Sequence, residues 1–353
     1  MTENLWHGSC DGKPLKVIVI GAVWFAGGVE EKAMAKEGSI LFGVDDSVFA
    51  RQAMAATGTL LKSNQNLKIT IFHGAPVLEL SMLSRVPHLS EEVIENYQKI
   101  WSLEQEKVLQ RAREVLVESG FDPQRVSTIY EEQCDNPASA MYKLATFEDF
   151  ETLALARGGA ATPPREMIGS VTYRLANLAD DRVLWAVDPR FLSQDVLVTL
   201  VGADISRRVM EHTVRYFSHL QESRFTLFHV IPPVPPQFYE SSYWVYTPNL
   251  EVKERLEEMA LQTKNYAREV EKIANEGKER LIREGVPEQN VQIKLQAQQK
   301  GIARDILTEL EEGKYGILIL GRKGFKDIKQ FGLGSKANKL LHAAQAFSIC
   351  LVN

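Results

Sequence analysis

The sequence predicts an α/β protein made of two doubly wound domains, each on a five-stranded parallel sheet. Three observations carry this. Short apolar runs alternate with helix-like segments from residue 39 to the C-terminus. The order of those runs repeats, at offsets of 156 and then 165 residues. Glycine clusters also follow directly on two of the runs, where a strand would hand over to a helix. Strands separated by helices of ten residues or more are joined in parallel by right-handed crossovers. A repeat this long means two similar domains, not a solenoid of short units.

In the first half, 40–44 is a short apolar strand and 48–61 has helical spacing with Ser47 as its N-cap. A strand follows at 67–72. Ser90 precedes a long charged helix, 91–119, which Gly120 and Pro123 stop. Then come strand 126–130, helix 137–146, strand 150–155, helix 167–176 and strand 182–187. The second half repeats the order: strand 196–201, helix 206–220, strand 225–230, and a very long helix 250–284 ended by Gly285 and Pro287. Strand 291–295, helix 302–312, strand 316–320, helix 336–344 and strand 347–352 complete it. Landmarks match across the halves. Ile71-Phe72-His73 aligns with Leu227-Phe228-His229, Gly43-Val44-Asp45 with Thr199-Leu200-Val201, and Gly120 with Gly285. The offset grows by nine residues between His229 and Gly285, which places the insertion in or beside the Pro- and Tyr-rich stretch 231–248.

The bulk numbers bound the function. With 353 residues there is enough chain for two ordinary cores. A net charge of −5 with scattered basic residues argues against a nucleic-acid binder. The three cysteines, Cys10, Cys134 and Cys350, have no zinc spacing and suggest a reducing compartment, so a cytoplasmic protein is expected. The apolar run 17–29 is too short to span a bilayer, and no membrane association is expected. Expected domains are 1–38, 39–190 and 191–353. The first of these matches nothing in the repeat. It reads as an appended element or an early start, with a strand at 15–20 and a short helix at 29–36.

The chemistry sits in the glycines. The run 316–320 leads into Gly321-Arg322-Lys323-Gly324, and nine residues further on come Gly334-Ser335-Lys336, opening a helix. Glycine lets the backbone approach an anion closely, and the first N–H groups of a helix attract phosphate. A glycine-rich turn with no ligand would look similar. The upstream copy is Ala156-Arg157-Gly158-Gly159, then Gly169-Ser170, with only the first glycine replaced. Its loop contains Pro163-Pro164, which lack N–H donors.

The spacing G-x2-G-x9-G-S resembles the nucleotide signature of the universal stress protein family, and the resemblance covers about residues 39–353 as a tandem pair. It implies a Rossmann-like sandwich, related to adenine-nucleotide α-hydrolase sheets, with ATP or another adenine nucleotide as ligand, with or without magnesium. It implies that an aspartate ending the first strand meets the nucleoside, and that a small apolar residue ending the second lies by adenine. The glycine loop and its serine would hold the phosphates. On this basis the second domain offers Val230, Gly321, Arg322, Gly324, Gly334, Ser335 and Lys336, but has Val201 where the aspartate is expected. The first domain keeps Asp45 and offers Gly159, Gly169 and Ser170 more weakly. Family domains often pair their last strands, so an intramolecular pseudo-dimer is expected, with a homodimer as a further option.

Other candidates have two readings each. His73 and His229 read as packed residues at strand ends before they read as ligands. Asp45-Asp46 reads as a strand end and turn before it reads as a metal site. Arg322 and Lys323 suit phosphates or solvent equally. Glu/Lys pairs along 250–284 suit a solvated face, and a docking face second. The aromatics of 238–246 suit a lid or plain loop packing. No general base or nucleophile can be argued, so an enzyme beyond weak ATPase is not expected. The leading expectation is a stress-response sensor or regulator binding an adenine nucleotide in the second domain. The alternative is a nucleotide-free scaffold that keeps the fold.

Overall fold

The computed structural model describes residues 7–10, 13–16, 38–75, 90–132, 134–158, 168–190, 193–233, 252–322, 333–343 and 346–353. At the N-terminus, β1 (His7–Cys10) pairs antiparallel with β2 (Lys13–Lys16). The helix expected at 29–36 and most of the strand expected at 15–20 lie outside the described residues.

Two compact units follow. In the first, β3 (Gly38–Gly43), β4 (Leu67–Gly74), β5 (Val126–Glu131) and β6 (Thr152–Ala156) form a parallel sheet in the order β6-β3-β4-β5. Its central strands are buried on both faces, with Ile40, Leu41, Phe42, Ile69 and Leu153 fully inaccessible. That is why they read as continuous apolar runs and not as alternating ones. The helices are α1 (Val48–Leu61), α2 (Glu91–Glu118), α3 (Pro137–Phe147) and α4 (Ser170–Leu178). Ser47 caps α1 as its spacing predicts, its Oγ accepting from Ala50 N at 3.0 Å. Asn136 caps α3 with Pro137 at the first helical position. The long α2 buries only Val108, Leu109, Ala112 and Leu116, a stripe near its C-terminal end.

The second unit comprises Ala179–Asn353 together with the short stretch Pro164–Ile168. Strands β8 (Val196–Thr199), β9 (Phe225–Ile231), β10 (Val291–Ala297), β11 (Ile317–Gly321) and β12 (Ser348–Val352) lie parallel in the order β10-β9-β8-β11-β12. A sixth strand, β7 (Val183–Val187), joins this sheet antiparallel to β12, with Trp185 opposite Cys350. The run 182–187 forms a strand as expected, and its apolar residues cover the edge that β12 would otherwise leave open. Helices α5 (Ala203–Phe217), α6 (Val252–Arg283), α7 (Ile302–Gly313) and α8 (Ser335–Ala343) alternate with the strands.

The duplication is visible in the backbone. Gly120 and Gly285 end the two long helices at φ +100° and +98°. In each case the next residue's N–H returns to the helix, Phe121 to Leu116 O at 3.3 Å and Val286 to Leu281 O at 3.1 Å. A positive φ at this position favours glycine. Asp149 and Lys314, also 165 residues apart, both stand at φ 54°. Among the described residues, no helix is long and apolar enough to cross a membrane.

Candidate functional site

In the second unit the chain runs β8, β9, β10 to one side of the sheet and then returns to β11 beside β8. Strand order reverses between β8 and β11, the place where open α/β sheets leave a crevice beyond their carboxyl ends. A cavity of about 740 Å³ lies there. That is within the range of small-molecule sites. Thr199, Leu200 and Val201 line it from the end of β8, His229 and Val230 from β9, and Leu320 and Gly321 from β11. Gly301 to Arg304 line it from the start of α7, and Gly334 to Ala337 from the start of α8.

Two helix N-termini therefore open into one cavity. At α8 the loop is closed by backbone bonds: Arg322 N donates to Val352 O at 2.6 Å, Gly334 N to Arg322 O at 3.2 Å, and Asn338 N to Gly334 O at 2.9 Å. The last of these is the first helical bond, so the N–H groups of Ser335, Lys336 and Ala337 have no acceptor within the helix. At α7, Gly301 takes φ +115°, a turn that favours glycine. The carboxylate of Asp305, 3% exposed, fixes that turn by accepting from Gln299 N and Lys300 N, both at 2.8 Å. Lys300, Arg304, Arg322, Lys336 and Lys339 are among the lining residues, and no described lining residue is acidic. Helix dipoles and side chains thus give the cavity a positive field, suited to an anion.

Of the expected residues, Val230, Gly321, Arg322, Gly334, Ser335 and Lys336 come together around this cavity. Gly324 and Lys323 lie outside the described residues, as do Gly159, Pro163, Pro164 and the aromatics of 238–246. Arg322 is fully buried, and its guanidinium donates to Arg182 O at 3.2 Å. Burial lowers its pKa to about 10, against the pull of Asp180 and Asp181. Lys300, Gly301 and Arg304 were not anticipated. The signal was available, since Lys300-Gly301 sits between a strand and a helix, as Gly334-Ser335 does.

The histidines pack as expected at strand ends. His73 Nδ1 meets Val44 O at 2.9 Å and His229 Nδ1 meets Leu200 O at 2.7 Å. A carbonyl only accepts, so both rings carry the proton on Nδ1. Burial lowers the pKa of His229, more than its bond to Leu200 raises it. The Tyr266 ring meets His229 at 5.4 Å, near edge-on, and burial pushes the Tyr266 hydroxyl up to about 12.

In the first unit, Asp45 Oδ1 accepts from Ser47 N at 3.1 Å and Ser47 Oγ at 2.5 Å. Asp46 pairs with Arg51 at 3.0 Å and Arg111 at 3.1 Å. Gly169 N donates to Arg157 O at 2.8 Å, the counterpart of the Gly334–Arg322 bond, and Ser170 begins α4 as Ser335 begins α8. At these described positions the two motifs share one backbone bond and one helix start. No group of three or more His, Cys, Asp or Glu able to hold a metal occurs among the described residues.

No family model matches the sequence, and no curated protein matches it. Solved structures do. A universal stress protein from Archaeoglobus fulgidus DSM 4304 superposes with a TM-score of 0.57 at 15% identity, over 90% of this chain and 99% of that one. A putative universal stress protein from Pseudomonas aeruginosa UCBPP-PA14 matches at a TM-score of 0.49 and 12% identity, over 89% and 92%. A functionally unknown protein from Pseudomonas aeruginosa PAO1 gives 0.47 and 11%, over 89% and 92%. The chain has the universal stress protein fold, in two domain-like halves.

Proposed function

We propose that this is a tandem universal stress protein whose second unit binds ATP or another adenine nucleotide, and that the bound state regulates a cytoplasmic stress response. The observation that carries the reading is the cavity at the β8/β11 switch point, with two helix N-termini and cationic side chains on its wall. Phosphates would lie against the N–H groups of Ser335, Lys336 and Ala337 and the Ser335 hydroxyl. Gly321 and Gly334 keep side chains out of the space where backbone and phosphate approach. Val230, 4% exposed, offers an apolar contact for adenine. Magnesium, where present, would arrive on the phosphates, because the described wall supplies no carboxylate.

Val201 favours a second reading, a nucleotide-free scaffold. It puts an alkyl group where the first unit has Asp45, removing one polar contact with a nucleoside. Calorimetric titration of ATP, with and without magnesium, into nucleotide-free protein separates the two. Saturable binding near one per chain, lost in Gly334→Val at an unchanged melting temperature, supports the nucleotide reading. No binding, together with no nucleotide carried through purification, leaves the scaffold.

A further inference from the structure

The two halves treat the same histidine differently. In the first unit both nitrogens of His73 have partners: Nδ1 donates to Val44 O, and Nε2 faces the Gln105 side-chain amide at 3.0 Å, an amide that donates through its NH2 when so turned. In the second, His229 repeats the Nδ1 bond, to Leu200 O, but its Nε2 is buried with no hydrogen-bond partner among the described residues. The residue is 3% exposed and forms part of the wall of the switch-point cavity. With the proton on Nδ1, Nε2 is a bare acceptor. A buried acceptor left unmade is costly, and native folds rarely keep one without a use.

A second difference complements the first. Val201, at the end of β8, lacks the acceptor that Asp45 provides at the matching place in the first unit. Leu200, the partner of His229, is its chain neighbour. The half that lost the carboxylate therefore has a free imidazole acceptor nearby, and the half that kept the carboxylate has its imidazole closed by Gln105.

We propose that His229 Nε2 is a specificity-determining acceptor, receiving an N–H or O–H from the nucleoside part of a nucleotide held in this cavity. The inference rests on the nucleotide reading above and names the contact that reads the ligand's nucleoside end. Tyr266 packs near edge-on against the same ring and lines the same cavity. The donor is the exocyclic amine of the base or a ribose hydroxyl, and the chemistry is the same for both.

The test uses the full chain and four ligands: ATP, 2′-deoxy-ATP, 3′-deoxy-ATP and purine riboside triphosphate, which lacks the 6-amino group. Each is titrated into wild type, His229→Asn and His229→Gln. The amide of asparagine can keep the bond to Leu200 O without reaching the position of Nε2, whereas glutamine reaches it. In wild type, one analogue should bind roughly tenfold or more weaker than ATP. In His229→Asn, ATP should fall to that analogue's affinity, so that the preference vanishes. His229→Gln should recover part of it. Equal binding of all four ligands to wild type overturns the inference without any variant, and leaves the nucleotide reading intact. So does an unchanged preference in His229→Asn. If ATP does not bind wild type at all, the nucleotide reading falls and this inference falls with it.

Discussion

Acid should weaken the second unit through a histidine outside the cavity. His212 on α5 is 3% exposed and accepts from Trp185 Nε1 at 2.8 Å through its Nε2. Tyr216 and Phe217 pack against the same pair, with Tyr216 4.4 Å from the imidazole and Phe217 stacked 5.2 Å from the indole. Burial, assisted by Arg215, lowers the pKa of His212 to about 3. In the unfolded chain it titrates near ~6.5. The sign follows from linkage. A histidine depressed on folding leaves stability intact above the unfolded pKa. As pH falls below that value the unfolded state takes up a proton that the folded state refuses, and stability drops until the folded pKa is reached. At pH 5 the unfolded chain is favoured by a factor of roughly 30, or about 2 kcal/mol from this one group.

The assay is urea unfolding at pH 8, 7, 6 and 5 for wild type and His212→Gln, following the transition that the substitution shifts at pH 8. Glutamine can still accept from the indole but does not titrate. The stability advantage of wild type over the variant should shrink by about 2 kcal/mol between pH 8 and pH 5, with most of the change below pH 6.5. Parallel curves would refute the reasoning, since they would mean that His212 is solvated or already charged in the folded state.

Further outcomes follow from the same geometry. Gly285→Ala forces a side chain into φ +98° and sets its Cβ 3.0 Å from Gln221 Nε2, so a loss of about 1–2 kcal/mol is expected in thermal unfolding. Gly43→Ala puts its Cβ 2.5 Å from Met141 Sδ and 2.6 Å from Leu155 Cδ2, and should destabilise the first unit by about 1–3 kcal/mol. Asp305→Ala removes the acceptor for two backbone N–H groups at the start of α7. It should cost about 1–3 kcal/mol and weaken ATP binding in the same titration. ATP affinity should also fall as salt rises, because Lys300, Lys336 and Lys339 act through partly exposed charges.

Much of the fold was legible because buried parallel strands leave unbroken apolar runs, and because the helix stops are chemical. Gly120 and Gly285 take the positive φ that their place after a long charged helix predicts. Ser47 and Asn136 cap the helices they precede. Residues 182–187 read as a strand because they form an unbroken apolar run, and that run is buried where β7 pairs antiparallel with β12. At the site, the glycine motif located one wall. The α7 wall was missed because its signal is a single glycine and one buried aspartate, Asp305, which sequence alone reads as an ordinary helix residue. Arg322 lines the cavity, but the sequence suited it to phosphate or solvent equally, and no spacing argument gives the bond from its guanidinium to Arg182 O.

Duplication gives each half the same starting chemistry, so their differences mark what each no longer shares. At the end of the first strand, Gly43 in one half corresponds to Thr199 in the other, and Met141 corresponds to Ile306. In the first unit Met141 Sδ and Leu155 crowd the place where a Gly43 side chain would stand. In the second, Thr199 and Ile306 line an open cavity, and the Thr199 hydroxyl donates inward to Ile319 O at 3.3 Å. The imidazole acceptors diverge the same way, one closed by Gln105 and one left bare. Packing, hydrogen bonding and motif integrity thus agree on one direction of change, with close packing in the half whose glycine motif is eroded and an open, positively lined crevice in the half where it is whole. Nothing in the stability of the fold requires that correlation, because filling the second cavity would add apolar contacts.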